Sequence, residues 1–475
     1  MDYLVQGKLD NKVHTITYDQ LRILYEDNQK EAEESREITE ASNRGENYYS
    51  TYGDSNYAFD MEYLLRDPKT SGMKMYYPHG IVIGQSQRRN YYRGEKQIYP
   101  SSVASLVRKL EQYKTLKEKE LYRLVADMRV AEFRALLRKF QHVLTWKNSD
   151  VLYEPIAQHY GLETGWLDIT SDFNTALFFA TCYWNGNKWL PLTKKQTEMD
   201  EDHQYGMIFH MPSNRMPMRW LYALEKLKPW TDEPIENDGN GHIRYGKLEY
   251  PIYRGELANI IYPLGFQPFM RCHMQNGYGI YMRNPQPLQN DCEFEKLRFR
   301  HSEELSQRVF DMMQGGELVY PHEGLKEVQF IIDQIREECT FSEEAFQYAL
   351  YRSHYYRLSD VDKARDDLRS FEIDSKKINI IDDHNWKLSS GRRKRIDALY
   401  RDFSVEKRYG ITLFDRAQIP GPSPFYEPWM LPDKESGEGI KDFRLREAVE
   451  CGNSIASRNA ISLLSTIKYA KLADF

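Results

Sequence analysis

The sequence predicts an α+β chain: a sheet flanked by helices, followed by a mainly helical C-terminal domain. Three observations carry that reading. Short β-type runs end at turn residues, as in Ile81-Val82-Ile83-Gly84, Tyr91-Tyr92-Arg93-Gly94, Leu167-Asp168-Ile169 and 207–211 before Pro212. Between them lie long stretches of helical apolar spacing, above all 103–140. Beyond Ile335 the recognisable elements are helical. With 475 residues, two or three domains are expected, and a 41% hydrophobic share suffices for their cores.

The elements follow in order. Residues 1–78 read as a polar extension: a strand-like stretch at 13–18, then a segment at 26–55 rich in Glu, Asn, Ser and Tyr that suits a solvated helix and a loop. After Pro100, three sets keep helical spacing: Val103, Leu106, Val107 and Leu110; Leu121, Leu124, Val125 and Met128; Phe133, Leu136, Leu137 and Phe140. Two or three helices are expected there, with a break near 116–119, covering one face of the sheet. In Phe173, Ala176, Leu177, Ala180 and Trp184 the spacing predicts one helix face, with Thr170 or Ser171 as its cap. Met270, Cys272 and Met274 alternate with Arg271, His273 and Gln275, and Asn276-Gly277 follows; this predicts a strand and hairpin turn with the three polar residues on one face. Thr340-Phe341-Ser342-Glu343 fits a capping box opening a helix through Tyr351. The basic run 391–395 reads as a solvated helix start, 420–432 as a proline-spaced connector, and 455–472 as an amphipathic helix.

Composition narrows the function. Net charge is −6, so no overall field draws the chain to nucleic acid or anionic membrane. The five cysteines form no Cys-x-x-Cys pair, which points away from a disulfide framework or zinc site. No run approaches a membrane span and no leader pattern opens the sequence, so a cytoplasmic protein is expected. No Asp/Glu/Lys set has metal-site spacing, which weakens a nuclease reading. The 35 tyrosines suit ligand clefts and interfaces, or core filling.

The densest concentration of site-type groups is 156–184: His159, Tyr160, Thr164, Asp168 and Thr170 precede the patterned helix, whose N-terminal N–H groups and dipole could receive a phosphate. An ordinary strand–helix junction would explain the same residues. Together with Arg93-Gly94, the order His159-Tyr160-Gly161, Thr164, Leu167-Asp168, Thr170 and 176–180 resembles the FRG domain family, and so do 271–277 and the closing segment 296–335 with Leu318-Val319-Tyr320-Pro321. Gly165 stands where that family usually has Arg, and Ile169 where it has an aromatic. The resemblance spans about 79–335, leaving 336–475 as a helical accessory domain. It implies a mixed or antiparallel split sheet like that of ADP-ribosyltransferases, whose first core strand carries a Tyr-Arg-Gly that holds NAD.

On that resemblance the chain cleaves or transfers from NAD, as a toxin or anti-phage effector acting on a protein or nucleic-acid target. NAD is then the substrate, and neither a metal nor a membrane is involved. Such a site needs a cation for the pyrophosphate, aromatic surface for nicotinamide, and an acceptor or carboxylate at the ribose. Arg93 fits the first role, His159 and Tyr160 the second, Asp168 and Gln275 the third. Tyr92, Gly94, Thr164, Thr170 and Arg271 complete the expected cofactor contacts. A second Tyr-Arg-Gly-Glu makes Arg254 a rival to Arg93. Each residue also has a structural explanation: a surface-strand Arg, a hydrogen-bonded core His, a capping Asp. Gln275 carries no charge, so a non-catalytic nucleotide- or partner-binding module, assembling through its C-terminal helices, fits the same residues.

Overall fold

The structure, a computed structural model, describes residues 11–43, 63–66, 72–77, 80–85, 90–144, 151, 153–212, 235–237, 242–245, 248–251, 260–264, 269–282, 286–291, 293–353, 355–356 and 360–401. Among these, seven strands build the central sheet: β1 (Val13–Thr15), β2 (Tyr91–Glu95), β3 (Trp166–Thr170), β4 (Tyr205–Met211), β5 (Ile260–Pro263), β6 (Gly277–Tyr281) and β7 (Glu295–Arg300). Their spatial order is β1-β7-β4-β2-β3-β6-β5. The β1–β7 pair is parallel and the other neighbours are antiparallel. The expected α+β class with a mixed sheet is what the molecule adopts. The strand-like 81–84 lies in a separate three-stranded meander, Tyr63–Arg66, Gly72–Tyr77 and Gly80–Gln85.

Alternation along β2 explains both faces of the sheet. Tyr92 packs on one side with Ile208, Leu297 and Phe299, while Tyr91 packs on the other with Leu167, Phe209, Tyr278 and Ile280. The helices that position the site are α1 (Tyr18–Asn43), α2 (Ser105–Leu110), α3 (Leu116–Leu137), α4 (Tyr153–His159) and α5 (Phe173–Thr181). They continue with α6 (Met270–Met274), α7 (Glu303–Met312), α8 (Glu343–Arg352) and α9 (Ser390–Arg401). Helix α5 buries Phe173, Ala176, Leu177 and Ala180 as its spacing predicts, in the core that holds Tyr92. Trp184 is not part of that helix: it ends the strand Cys182–Trp184, which pairs with Trp189–Pro191, and is 51% exposed. The break before α3 falls at Thr115, whose side chain and Glu118 form a capping box.

The N-terminal residues are more than an extension. Strand β1 adds an edge to the sheet, and α1 lies against α5 with Leu21 and Leu24 buried. Asn28, 1% exposed, donates from Nδ2 to Ser171 O at 2.8 Å and accepts from Phe173 N at 2.9 Å. The cap of α5 is therefore Asp172, which accepts from Thr175 N at 2.9 Å, and neither Thr170 nor Ser171. Asn28 and Asp172 occupy the amides that a phosphate would use, so this helix start is not an open anion site.

Residues beyond 336 build no core of their own as far as 401. Phe346, Ala349, Leu350, Ile396 and Tyr400 share one core with Leu124, Met128, Phe133 and Leu137 of α3. Polar links reinforce it. Glu132 accepts from Ser342 N, Ser342 Oγ and Trp386 Nε1, and Arg352 meets Asp127 at 2.8 Å and Glu154 at 2.7 Å. The α8 cap is Ser342; Thr340–Ser342 forms a short strand beside Asn379–Ile381. The basic run 391–395 does open a helix, α9. The connector 420–432, the helix expected at 455–472 and Arg254 lie outside the described residues.

Candidate functional site

Strands β2 and β3 pair at one position, Tyr92 with Thr170. In place of further backbone pairing, Arg93 reaches across: its Nη1 donates to Asp168 O at 2.7 Å and its Nε to Glu95 Oε1 at 2.9 Å. Arg93 and Glu95 are two apart in a strand, so they share a face. Glu95 in turn accepts from Ser102 Oγ at 2.7 Å, which anchors the 96–103 loop. Gly94 is required here by close packing: a Cβ would lie 1.7 Å from Ala176 O in the backbone of α5.

At this opening between the strands sits a cavity of about 510 Å³. Arg93, Glu95, His159, Asp168, Thr170 and Gln275 line it. The four residues expected to be catalytic thus converge on one cavity, although they come from a strand, a helix end, a second strand and the end of α6. His159 Nε2 stands 3.5 Å from Asp168 Oδ1, a close approach rather than a hydrogen bond. Both atoms are closed off from solvent, yet the Asp168 side chain as a whole is 32% exposed. The imidazole therefore backs one carboxylate oxygen and leaves the other side of the carboxylate toward the cavity. Gly277 is required by the backbone beside it, since a Cβ there would lie 2.9 Å from Cys272 O, while His159 Cε1 would stand at an ordinary contact distance of 3.6 Å.

Several expected ligand contacts are structural instead. Residues 270–274 form helix α6, not a strand, so Arg271, His273 and Gln275 do not share a polar strand face. Six residues of alternation do not outweigh the packing that buries Arg271, Cys272 and His273 alike, and the turn lies at Asn276, whose φ of 46° ends the helix. Arg271 is buried between the rings of Tyr160 and Tyr320, at 4.2 and 4.4 Å from their centroids. Its Nη1 donates to His159 O at 2.5 Å and its Nε lies 3.5 Å from Glu323 Oε1. Tyr160 is a core residue that donates to Glu323, and Tyr400 donates to the same carboxylate at 3.1 Å. Burial, then Glu323, pushes the Tyr160 and Tyr400 phenols well above their ordinary range. Thr164 is buried and bonds Gln158 Oε1, outside the cavity wall. Thr170 donates to Gln275 O at 2.7 Å, and Gln275 Nε2 donates to Val319 O at 2.9 Å.

Other lining residues had no role in the sequence reading. Phe179, Trp184, Trp189 and Tyr320 form an aromatic wall, with Trp184 stacked on Tyr320 and Trp189 5.2 Å from it. Lys96, Tyr99 and Arg108 line the same space. Burial, then Glu95, raises the Tyr99 phenol. Strand alternation could have paired Glu95 with Arg93 in advance. Nothing local marks the 182–191 hairpin or Arg108, because a fold brings them here.

With this geometry in place, comparison with known proteins gives one result: the FRG domain model matches residues 88–188. That stretch, an FRG domain, carries Arg93, His159, Asp168 and the Trp184 end of the hairpin, and stops before Gln275 and Tyr320. No curated protein and no solved structure matches the chain. Among the described residues no helix is long and apolar enough to cross a membrane.

Proposed function

We propose that this chain, built around an FRG domain, cleaves NAD at the nicotinamide–ribose bond and passes ADP-ribose to water or to a protein or nucleic-acid target. The observation that carries the reading is the cavity between β2 and β3, where two carboxylates meet an aromatic wall. Breaking that bond builds positive charge on the ribose, which a nearby carboxylate offsets. Glu95 is engaged by Arg93 and Ser102, so the role falls to Asp168, with His159 as a positioning residue behind it. A planar ring of the dinucleotide can lie on this aromatic wall, whereas the ring of Tyr160 is buried in the core. Arg93 spans the opening as a strut. An ADP-ribosyltransferase-like fold would place NAD in such a split, and depletion of cytoplasmic NAD is chemistry that suits a toxin or anti-phage effector.

The test is nicotinamide release from NAD by the purified full chain, alone and with cell lysate. Asp168→Asn is expected to slow release about 100-fold or more while ADP-ribose binding persists. No release and no labelled macromolecule from the unaltered chain would sink the enzyme reading. One observation favours a second reading, a nucleotide-binding module: Arg93 is already neutralised by Glu95, and Gln275 spends its amide on Val319. That version binds ADP-ribose and turns nothing over.

A further inference from the structure

We propose that the phosphates of the ligand are held by Lys96 and Arg108 at the cavity rim, and that its planar ring lies on Trp184. The assignment departs from the expectation for Arg93, and it rests on the reading that the ligand is a nucleotide but not on its cleavage.

Five charged side chains line the cavity besides His159: Arg93, Lys96, Arg108, Glu95 and Asp168. The Arg93 guanidinium is spent, with Nε on Glu95 Oε1 at 2.9 Å and Nη1 on Asp168 O at 2.7 Å, and its side chain is 26% exposed. A phosphate reaching it would compete with a nearly buried carboxylate for the same cation. Lys96 and Arg108 have no hydrogen bond or ion pair from their side chains among the described residues. Arg108 is exposed and Lys96 half-buried, so both can turn toward a ligand. After the Arg93–Glu95 pair cancels, two cations remain against one free carboxylate, and that imbalance favours an anion. The carboxylate fits the same picture, because Asp168 would repel a phosphate from the inner end and leave the rim as its place.

The ring contact rests on the hairpin. Trp184 is half-exposed, stacked on Tyr320 at 6.4 Å with the planes 20° apart, and braced by Trp189 at 5.8 Å. Tyr320 is itself held by Arg271. An indole fixed on one side and open on the other is a stacking platform that costs little ordering to use. A cavity of about 510 Å³ accommodates a ligand of nucleotide size.

Calorimetry on the full chain separates the contributions, with ADP-ribose, adenosine and inorganic pyrophosphate as probes. In Lys96→Gln/Arg108→Gln, ADP-ribose affinity is expected to fall about ten- to hundredfold, and adenosine affinity to stay within twofold. Trp184→Ala is expected to weaken adenosine and ADP-ribose alike, by about tenfold. Raising the salt concentration should weaken ADP-ribose and pyrophosphate but not adenosine. The proposal is overturned if the double variant binds ADP-ribose within twofold of the unaltered chain, or loses adenosine equally. It is also overturned if the unaltered chain binds none of the probes. If the double variant loses ADP-ribose while the unaltered chain leaves NAD intact, the cleavage reading fails and this assignment stands. Both cations are at the rim, so melting temperatures should not change and misfolding does not blur the result.

Discussion

Glu323→Gln tests how the cavity wall is held in place. Glu323 is fully buried and serves Tyr160, Tyr400 at 3.1 Å and Arg271 at 3.5 Å. The amide keeps the shape but removes the charge, which leaves the Arg271 guanidinium, 5% exposed, without a counter-ion. Breaking a buried pair from one side costs about 3–5 kcal/mol. Arg271 keeps its bond to His159 O and its two tyrosine rings, so the lower end applies, about 3 kcal/mol. With about 300 residues unfolding together at about 2.1 cal/mol/K each, that lowers the melting temperature by roughly 5 °C. Near-UV circular dichroism follows the loss, since Tyr160, Tyr320 and Tyr400 surround the altered group. Because Arg271 clamps the His159 carbonyl, ADP-ribose binding should weaken in the still-folded variant. The combination Arg271→Met/Glu323→Leu should cost less than the two single changes added together, because it strands no charge. A melting temperature within about 2 °C of the unaltered chain would refute the reasoning, since an unpaired buried guanidinium cannot be that cheap.

Two further outcomes follow from particular contacts. Gly94→Ala drives a methyl into the backbone of α5, 1.7 Å from Ala176 O and 2.6 Å from Ala176 C, and a helix backbone cannot turn aside as a side chain can. A loss above about 3 kcal/mol is expected, seen as an insoluble or low-melting protein; wild-type melting would contradict the close packing of β2 on α5. Burial, opposed by Arg352, pushes the Asp127 carboxyl up to about 7, above its unfolded value. Its stabilising contribution is therefore complete below about pH 4 and is lost as the pH rises through 7. Asp127→Asn should flatten the melting temperature across that window and gain on the unaltered chain toward pH 8. Parallel curves for the two proteins would show that Asp127 does not titrate there.

Much of the molecule was legible from short-range pattern. The α5 face, the strands at β2, β3 and β4, and the helices of 103–140 are set by side-chain periodicity, which a local window contains. The resemblance to the FRG family, rather than periodicity, brought Arg93, His159, Asp168 and Gln275 to one place, and the fold gathers them around one cavity. Local pattern failed at 270–274, where Arg271, Cys272 and His273 are all buried in a helix so that polar and apolar alternation marks no face, and at the cap of α5.

What the sequence determined by itself was therefore the order of elements and the concentration of polar groups before α5. Only the tertiary structure decided what those groups do. Arg93 became a strut because Glu95 and Asp168 sit within its reach. Arg271 became a core residue because Glu323, Tyr160 and Tyr320 enclose it. Asn28 closed the helix start from 143 residues away. The physical reason is that a charge or donor acquires its role from its partner, and partners distant in sequence leave no periodic trace in it.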